Sequence, residues 1–87
     1  MLALTAKAAR ELAREGISVN AVLPSVIETD MLSKIGRGEE VLARLRAQFP
    51  IGRFGRAEEV ARVVRFLCIE APDYLTGECI SLRGARL

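Results

Sequence analysis

Eighty-seven residues, 51% of them hydrophobic, suffice for one small domain and leave no room for a second core, so residues 1–87 are read as a single unit. The 13 Lys and Arg are interspersed with 11 Asp and Glu for a formal charge of +2, and the aromatics are 3 Phe and 1 Tyr. That balance argues against a nucleic-acid surface, which needs a basic stripe or stacking aromatics. Histidine is absent, which removes the commonest general base, the commonest zinc ligand and the Ser-His and Cys-His pairs together.

In chain order, residues 2–15 read as a helix. Lys7, Arg10, Glu11 and Arg14 form a polar stripe, while Ala6, Ala9, Leu12 and Ala13 offer a small-residue face for close packing. Gly16 supplies the left-handed residue that ends many helices. Glu11 and Glu15 speak against a targeting presequence, and no apolar run approaches the roughly 18–20 residues that cross a bilayer, so a cytoplasmic location without membrane partners is expected. Residues 17–23, ISVNAVL, are β-branched and largely apolar on both faces, as in a strand covered on two sides by helices. Pro24 lacks a ladder donor and should stop that strand.

Thr29 or Asp30 is placed to cap a short helix ending at Ile35, and Gly36-Arg37-Gly38 breaks it. A second helix over 39–49 carries Val41, Leu42, Leu45 and Phe49 as its apolar stripe, with Pro50 as its stop. IGRFGR, residues 51–56, has two glycines in six residues and reads as a mobile loop. Residues 57–70 carry the strongest helical pattern: Val60, Val63, Val64 and Leu67 line one face, and Glu58 and Arg62 are set for an i,i+4 pair. A Pro72-Asp73 turn and Thr76-Gly77 lead to a last strand, Glu78 to Leu82. Cys68 on the apolar helix face and Cys79 in the strand have no metal-type spacing, and both are expected as buried free thiols.

Leaving the short helix that ends at Ile35 uncounted, the order is α-β-α-α-β, and a long helical crossover should bring its two strands together in parallel. Two parallel strands make a very small sheet, so at least one edge and one helix face are expected to lack a partner within one copy. The fold expected is therefore α/β, a partial Rossmann-type unit completed by homo-oligomerisation.

The segments AARELAREGISVNAVLPSVIETDM, PIGRFGRAEEVARVVRFL and YLTGECISLRG resemble the carboxyl-terminal part of short-chain dehydrogenases/reductases, in the flavour of 3-oxoacyl-carrier-protein reductases. The family pattern Asn-Ala-Val-x-Pro-Gly-x-Ile-x-Thr stands here as Asn20 to Thr29, with Ser25 in place of glycine. The resemblance implies an NAD(P)-dependent oxidoreductase acting on a small carbonyl substrate. It gives Pro24, Ser25, Ile27 and Thr29 as contacts to the nicotinamide end of NAD or NADP, the main chain at Ile27 pairing with the carboxamide and Thr29 using its hydroxyl. Residues 30–53 match the lid over the substrate.

Departures from the family set the limits of that reading. Its catalytic Tyr-x-x-x-Lys would lie just upstream of Met1, so Lys7 is not that lysine, and Tyr74 is followed at that spacing by Glu78. GRFG at 52–55 is not the glycine-rich loop that seats a pyrophosphate, because it follows no strand and lacks the spacing. Asp-Gly-Gly near the family's carboxyl end is Arg83-Gly84-Ala85 here. No catalytic residue is therefore assigned, and the 87-residue chain alone is not expected to transfer hydride. The competing readings are a self-association module and a minimal hydrolase using Ser25, for which no histidine is present as base. Glu39, Glu40, Glu58, Glu59 and the interspersed arginines read as solvated faces. Arg53 and Arg56 could meet a substrate acid or phosphate, but loop arginines are usually solubilising, and Glu28 and Asp30 are explained as helix N-terminal charges.

Overall fold

In the computed structural model, residues 2–28 and 38–86 are described. Helix α1 spans Leu2–Leu12 and tightens into a 3₁₀ turn at Ala13–Glu15. Gly16 ends it at φ +76°, its N–H donating to the Ala13 carbonyl. The buried stripe of α1 is Thr5 and Ala9, one turn apart, rather than the wider alanine face expected; Ala13 is exposed. Ala9 lies against the main chain at Gly77, where an added Cβ would come within 3.4 Å of the alanine methyl.

Strand β1, Ala21–Pro24, pairs in parallel with β4, Cys79–Leu82, in the register Ala21 with Cys79 and Pro24 with Leu82. The parallel pairing expected of the two strands is thus present. Regular strand geometry starts later than residue 17, for a physical reason. Ahead of Ala21 the Gly77 N–H still donates to the Val19 carbonyl at 2.7 Å, and side chains make the other bonds. The Val19 N–H donates to Thr76 Oγ1 at 3.0 Å, Asn20 Nδ2 donates to the Leu75 carbonyl at 3.1 Å, and the Glu78 N–H donates to Asn20 Oδ1 at 3.0 Å. Pro24 occupies the last strand position, where its missing donor costs nothing, and the Ser25 N–H resumes the ladder to the Leu82 carbonyl at 2.9 Å.

A second parallel pair was not anticipated. Strand β2, Ile27–Glu28, pairs with β3, Gly55–Arg56, inside the segment read from sequence as a mobile loop. Phe54, just before β3, is 1% exposed, and Phe49 is 3% exposed. Their rings meet edge to face, centroids 6.0 Å apart. Arg46 and Arg86 cap this pair from either side, their guanidinium carbons 5.4 and 5.3 Å from the centroids of Phe54 and Phe49. The packing explains why glycine-rich IGRFGR is held: Phe54 is a core residue, although Ile51 at its start is exposed.

Helix α2, Glu39–Ala47, ends earlier than expected, and of its apolar stripe Phe49 is buried, Leu42 and Leu45 are half-buried and Val41 is exposed. Helix α3, Ala57–Arg65, continues through a π turn, Phe66–Glu70, which the Ala71 N–H closes onto the Phe66 carbonyl. It packs on β1 and β3. Val60 and Val63 are half-buried there, whereas Val64, Phe66 and Ile69 are exposed. Cys68 is exposed and Cys79 half-buried, so neither thiol is buried as expected; the helix face that carries Cys68 has no covering layer among the described residues. The short helix ending at Ile35, and the loop residues Thr29 and Asp30, lie outside the described residues.

Candidate functional site

Both members of the larger strand pair end on the same side, and the loop leaving β1 turns there into β2. That is where open α/β sheets bind ligands, outside the carboxyl ends of the strands. A cleft of about 360 Å³ occupies the position. Its apolar wall includes Phe49, Ile51, Phe54, Val60 and Leu82. Ser25, Arg53, Arg56, Glu59 and Arg83 supply its polar groups. The size lies within the range of small-molecule sites, about 300–1,000 Å³.

Of the residues named from sequence, Ser25 and Ile27 line this cleft, while Pro24 ends the strand that feeds it. Thr29 lies outside the described residues. Ser25 is exposed and also borders a flatter, more polar recess with Ser81, Arg83 and Arg86. Arg53 and Arg56 both reach the cleft, as does Glu59, which the sequence reading treated as a solvated surface charge. The signal that could have found it is the spacing of Arg53, Arg56 and Glu59 across a helix start, a carboxylate three residues into α3 being placed to reach back.

Glu59 is the most heavily engaged side chain of the site. Its two oxygens accept a fork from Arg53, at 2.7 Å to Nη1 and 3.0 Å to Nη2. Oε1 also accepts the Arg56 N–H at 3.0 Å. The Arg53 guanidinium, and next the Arg56 amide, hold the Glu59 carboxyl far below the ordinary carboxylate range, at about 2. Arg53 is reciprocally held in its charged form by Glu59, and its Nη1 donates to the Phe54 carbonyl at 3.1 Å. The expected Glu58–Arg62 pair is not made; among the described residues the ion pairs are Arg53–Glu59 and Arg46–Glu39. A carboxylate this committed is no general base for Ser25, and the other charged groups named on the cleft are cations. The geometry gives no support to a hydrolytic serine.

The main chain of β2 supplies a different kind of group. The Gly55 N–H donates to the Val26 carbonyl at 3.0 Å, and the register places Ile27 opposite Gly55. Along a strand, successive residues point their N–H and C=O to alternate edges. Val26 and Glu28 therefore face β3, and the N–H and C=O of Ile27 face the other edge, on which no strand is paired among the described residues. One donor and one acceptor, side by side on an open edge, match a primary carboxamide. A Cβ at Gly55 would lie 2.8 Å from Ile27 Cδ1, the far end of that side chain, and 3.7 Å from the Val26 carbonyl oxygen, so only the Ile27 tip would have to turn aside.

A parallel strand pair with helices before and between its strands, opening at its carboxyl ends on a cleft with a bare peptide edge, is a Rossmann-type arrangement. Residues 1–84 match the family described as enoyl-(acyl carrier protein) reductase. Over 84 residues the chain is 46% identical to a 3-oxoacyl-[acyl-carrier-protein] reductase of Aquifex aeolicus, covering 97% of this chain and 33% of that one. It is 43% identical to a (3R)-3-hydroxyacyl-CoA dehydrogenase of Mus musculus, covering 97% of this chain and 32% of the other. Among solved structures, an NADPH-dependent reductase involved in bacilysin biosynthesis superimposes with a TM-score of 0.88 at 27% identity, over 99% of this chain and 36% of that one. The chain belongs to the short-chain dehydrogenase/reductase family of oxidoreductases. It spans about a third of the length of the curated relatives it matches.

Proposed function

We propose that these 87 residues form the nicotinamide-facing wall and part of the substrate cleft of an NAD(P)-dependent carbonyl reductase. The observation that carries the reading is the open main-chain edge of Ile27 at the carboxyl end of the sheet. Its N–H and C=O would pair with the carboxamide and so fix which face of the nicotinamide ring turns toward the cleft. Pro24 sets where the chain leaves the sheet, and Ser25 lines the approach with a hydroxyl where the family has glycine. Thr29 adds a hydroxyl contact by resemblance. The bound dinucleotide supplies the hydride; this chain binds and orients. The apolar wall of Phe49, Ile51 and Leu82 suits the carbon chain of a carbonyl substrate and excludes water from the ring. By resemblance, the acid-base tyrosine, its lysine and the pyrophosphate seat belong to family segments that these 87 residues do not match. The 87-residue chain on its own is therefore expected to bind the nicotinamide end weakly and not to turn over.

The relatives named as acting on acyl-carrier-protein and CoA thioesters make a 3-oxoacyl group the substrate class to test first. The binding test is titration of the ¹⁵N-labelled chain with NADPH, NADH and reduced nicotinamide mononucleotide. Amide shifts centred on Ser25 to Glu28 are expected with all three, because the shared nicotinamide end makes the contact. Shifts confined to other segments, or none at millimolar ligand, would sink the reading.

A further inference from the structure

The β2–β3 pair has only two residues on each strand. So short a pair makes too few hydrogen bonds to set its own register, which must be imposed from its flanks. On the β3 side the flanks meet at one carboxylate. Glu59 grips the Arg53 side chain with both oxygens and the Arg56 N–H with one of them, and Arg53 also holds the Phe54 carbonyl. Gly55 therefore sits between two tethered residues, its own N–H left free to reach Val26.

We infer that Glu59 is a positioning residue for the cofactor-facing peptide, holding Gly55 in the register that turns the N–H and C=O of Ile27 to the open edge. The inference rests on the nicotinamide reading for its purpose, though not for its geometry. A helix cap alone would account for the Glu59–Arg56 contact. It would not account for the two-pronged grip on Arg53, a residue four positions ahead of the first residue of α3. The fork ties the chain entering β3 to the helix leaving it, so β3 cannot shift relative to α3, which itself packs on β1, without breaking a charge-assisted pair.

The test separates the clamp from the cap and from the ligand. Glu59→Gln keeps an oxygen for the Arg56 amide and loses the charge that holds Arg53. Arg53→Ala loses the fork and leaves the cap. Glu58→Ala removes a neighbouring carboxylate with no contact to Arg53 or Arg56. Amide exchange is measured first without ligand. In Glu59→Gln and Arg53→Ala, the Gly55 and Glu28 amides should exchange about five-fold faster, the range of a partly exposed ion pair, while amides inside α3 hold their wild-type rates. Glu58→Ala should change neither. Unchanged exchange at Gly55 and Glu28 in both variants overturns the inference, and so does acceleration that α3 shares equally, which would mean a cap and nothing more. Titration with NADPH follows, reading the Ile27 amide. Weaker binding by a similar factor in the two variants is the supporting result. If the wild-type Ile27 amide ignores NADPH while the exchange effect stands, the nicotinamide reading falls and the clamp survives.

Discussion

Ala85 is a non-glycine residue in the left-handed region, at φ +68°, next to Gly84 at φ +54°. Together they form the middle of a turn that the Arg86 N–H closes onto the Arg83 carbonyl at 2.9 Å. Two successive positive φ angles make this a turn that glycine and asparagine suit and alanine does not. The substitution pattern noted from sequence, Arg83-Gly84-Ala85 where the family carries Asp-Gly-Gly, thus has a conformational cost at its third position. Ala85→Gly should stabilise the chain by about 1 kcal/mol, the left-handed penalty less the entropy that glycine adds to the unfolded state. Gly84→Ala should do the reverse and more, because its Cβ would stand 2.6 Å from Ile51 Cγ2 and push on the segment that the Ile51 N–H ties to the Gly84 carbonyl. Urea midpoints of the two variants check this. A less stable Ala85→Gly would show that the turn does not hold Ala85 in the left-handed region.

At the level of elements, what could be read from the chain was whatever had periodicity or a strong stop. The helix over 2–15 with its Gly16 end, the helix starting at 57 and the parallel pairing of ISVNAVL with the last strand all follow from such signals. β3 gave no signal, since two residues cannot show alternation, and the two glycines around Phe54 pointed to a loop. The burial of Phe54 depends on Phe49 and on the two arginines above and below them, a contact set that no local window contains. In the site, the backbone role proposed for Ile27 came from resemblance, whereas Glu59 was passed over because a carboxylate on an amphipathic helix resembles every other one. The same limit hid the work of Asn20 and Thr76. They extend the β1–β4 ladder beyond the regular strands, so they should matter as hydrogen-bonding groups and little as volume. Asn20→Ala is expected to cost about 1.5 kcal/mol for two bonds, one partly buried and one exposed, and the near-isosteric Thr76→Val about 1 kcal/mol for one partly buried bond. Urea denaturation gives the totals, and faster exchange confined to the Val19 and Glu78 amides would locate them. Equal losses for the two variants would contradict the side-chain ladder.

Taken as a whole molecule, the 87-residue chain has more apolar surface than it can cover. Among the described residues the buried apolar side chains are Ala9, Ala21, Phe49 and Phe54, a thin core for a chain of this size. The radius of gyration is 16.1 Å, against about 12 Å for a compact domain of equal length. Leu4 on α1 is 69% exposed and Ile69 at the end of α3 is 68% exposed, with Phe66 and Val64 open beside the latter. β1 and β4 form a two-stranded sheet, so each has an outer edge with no strand on it among the described residues. Unpaired edges and bare apolar helix faces are the features through which chains associate. Taken alone in solution, the chain should therefore sediment as a dimer or larger species at micromolar concentration, with burial between copies standing in for the missing layers. Phe66→Lys with Ile69→Glu places opposite charges on the α3 face without touching Phe49, Phe54 or the cleft, and should shift the distribution toward monomer. Sedimentation velocity distinguishes the outcomes. A compact, stable wild-type monomer would mean that the open faces need no cover.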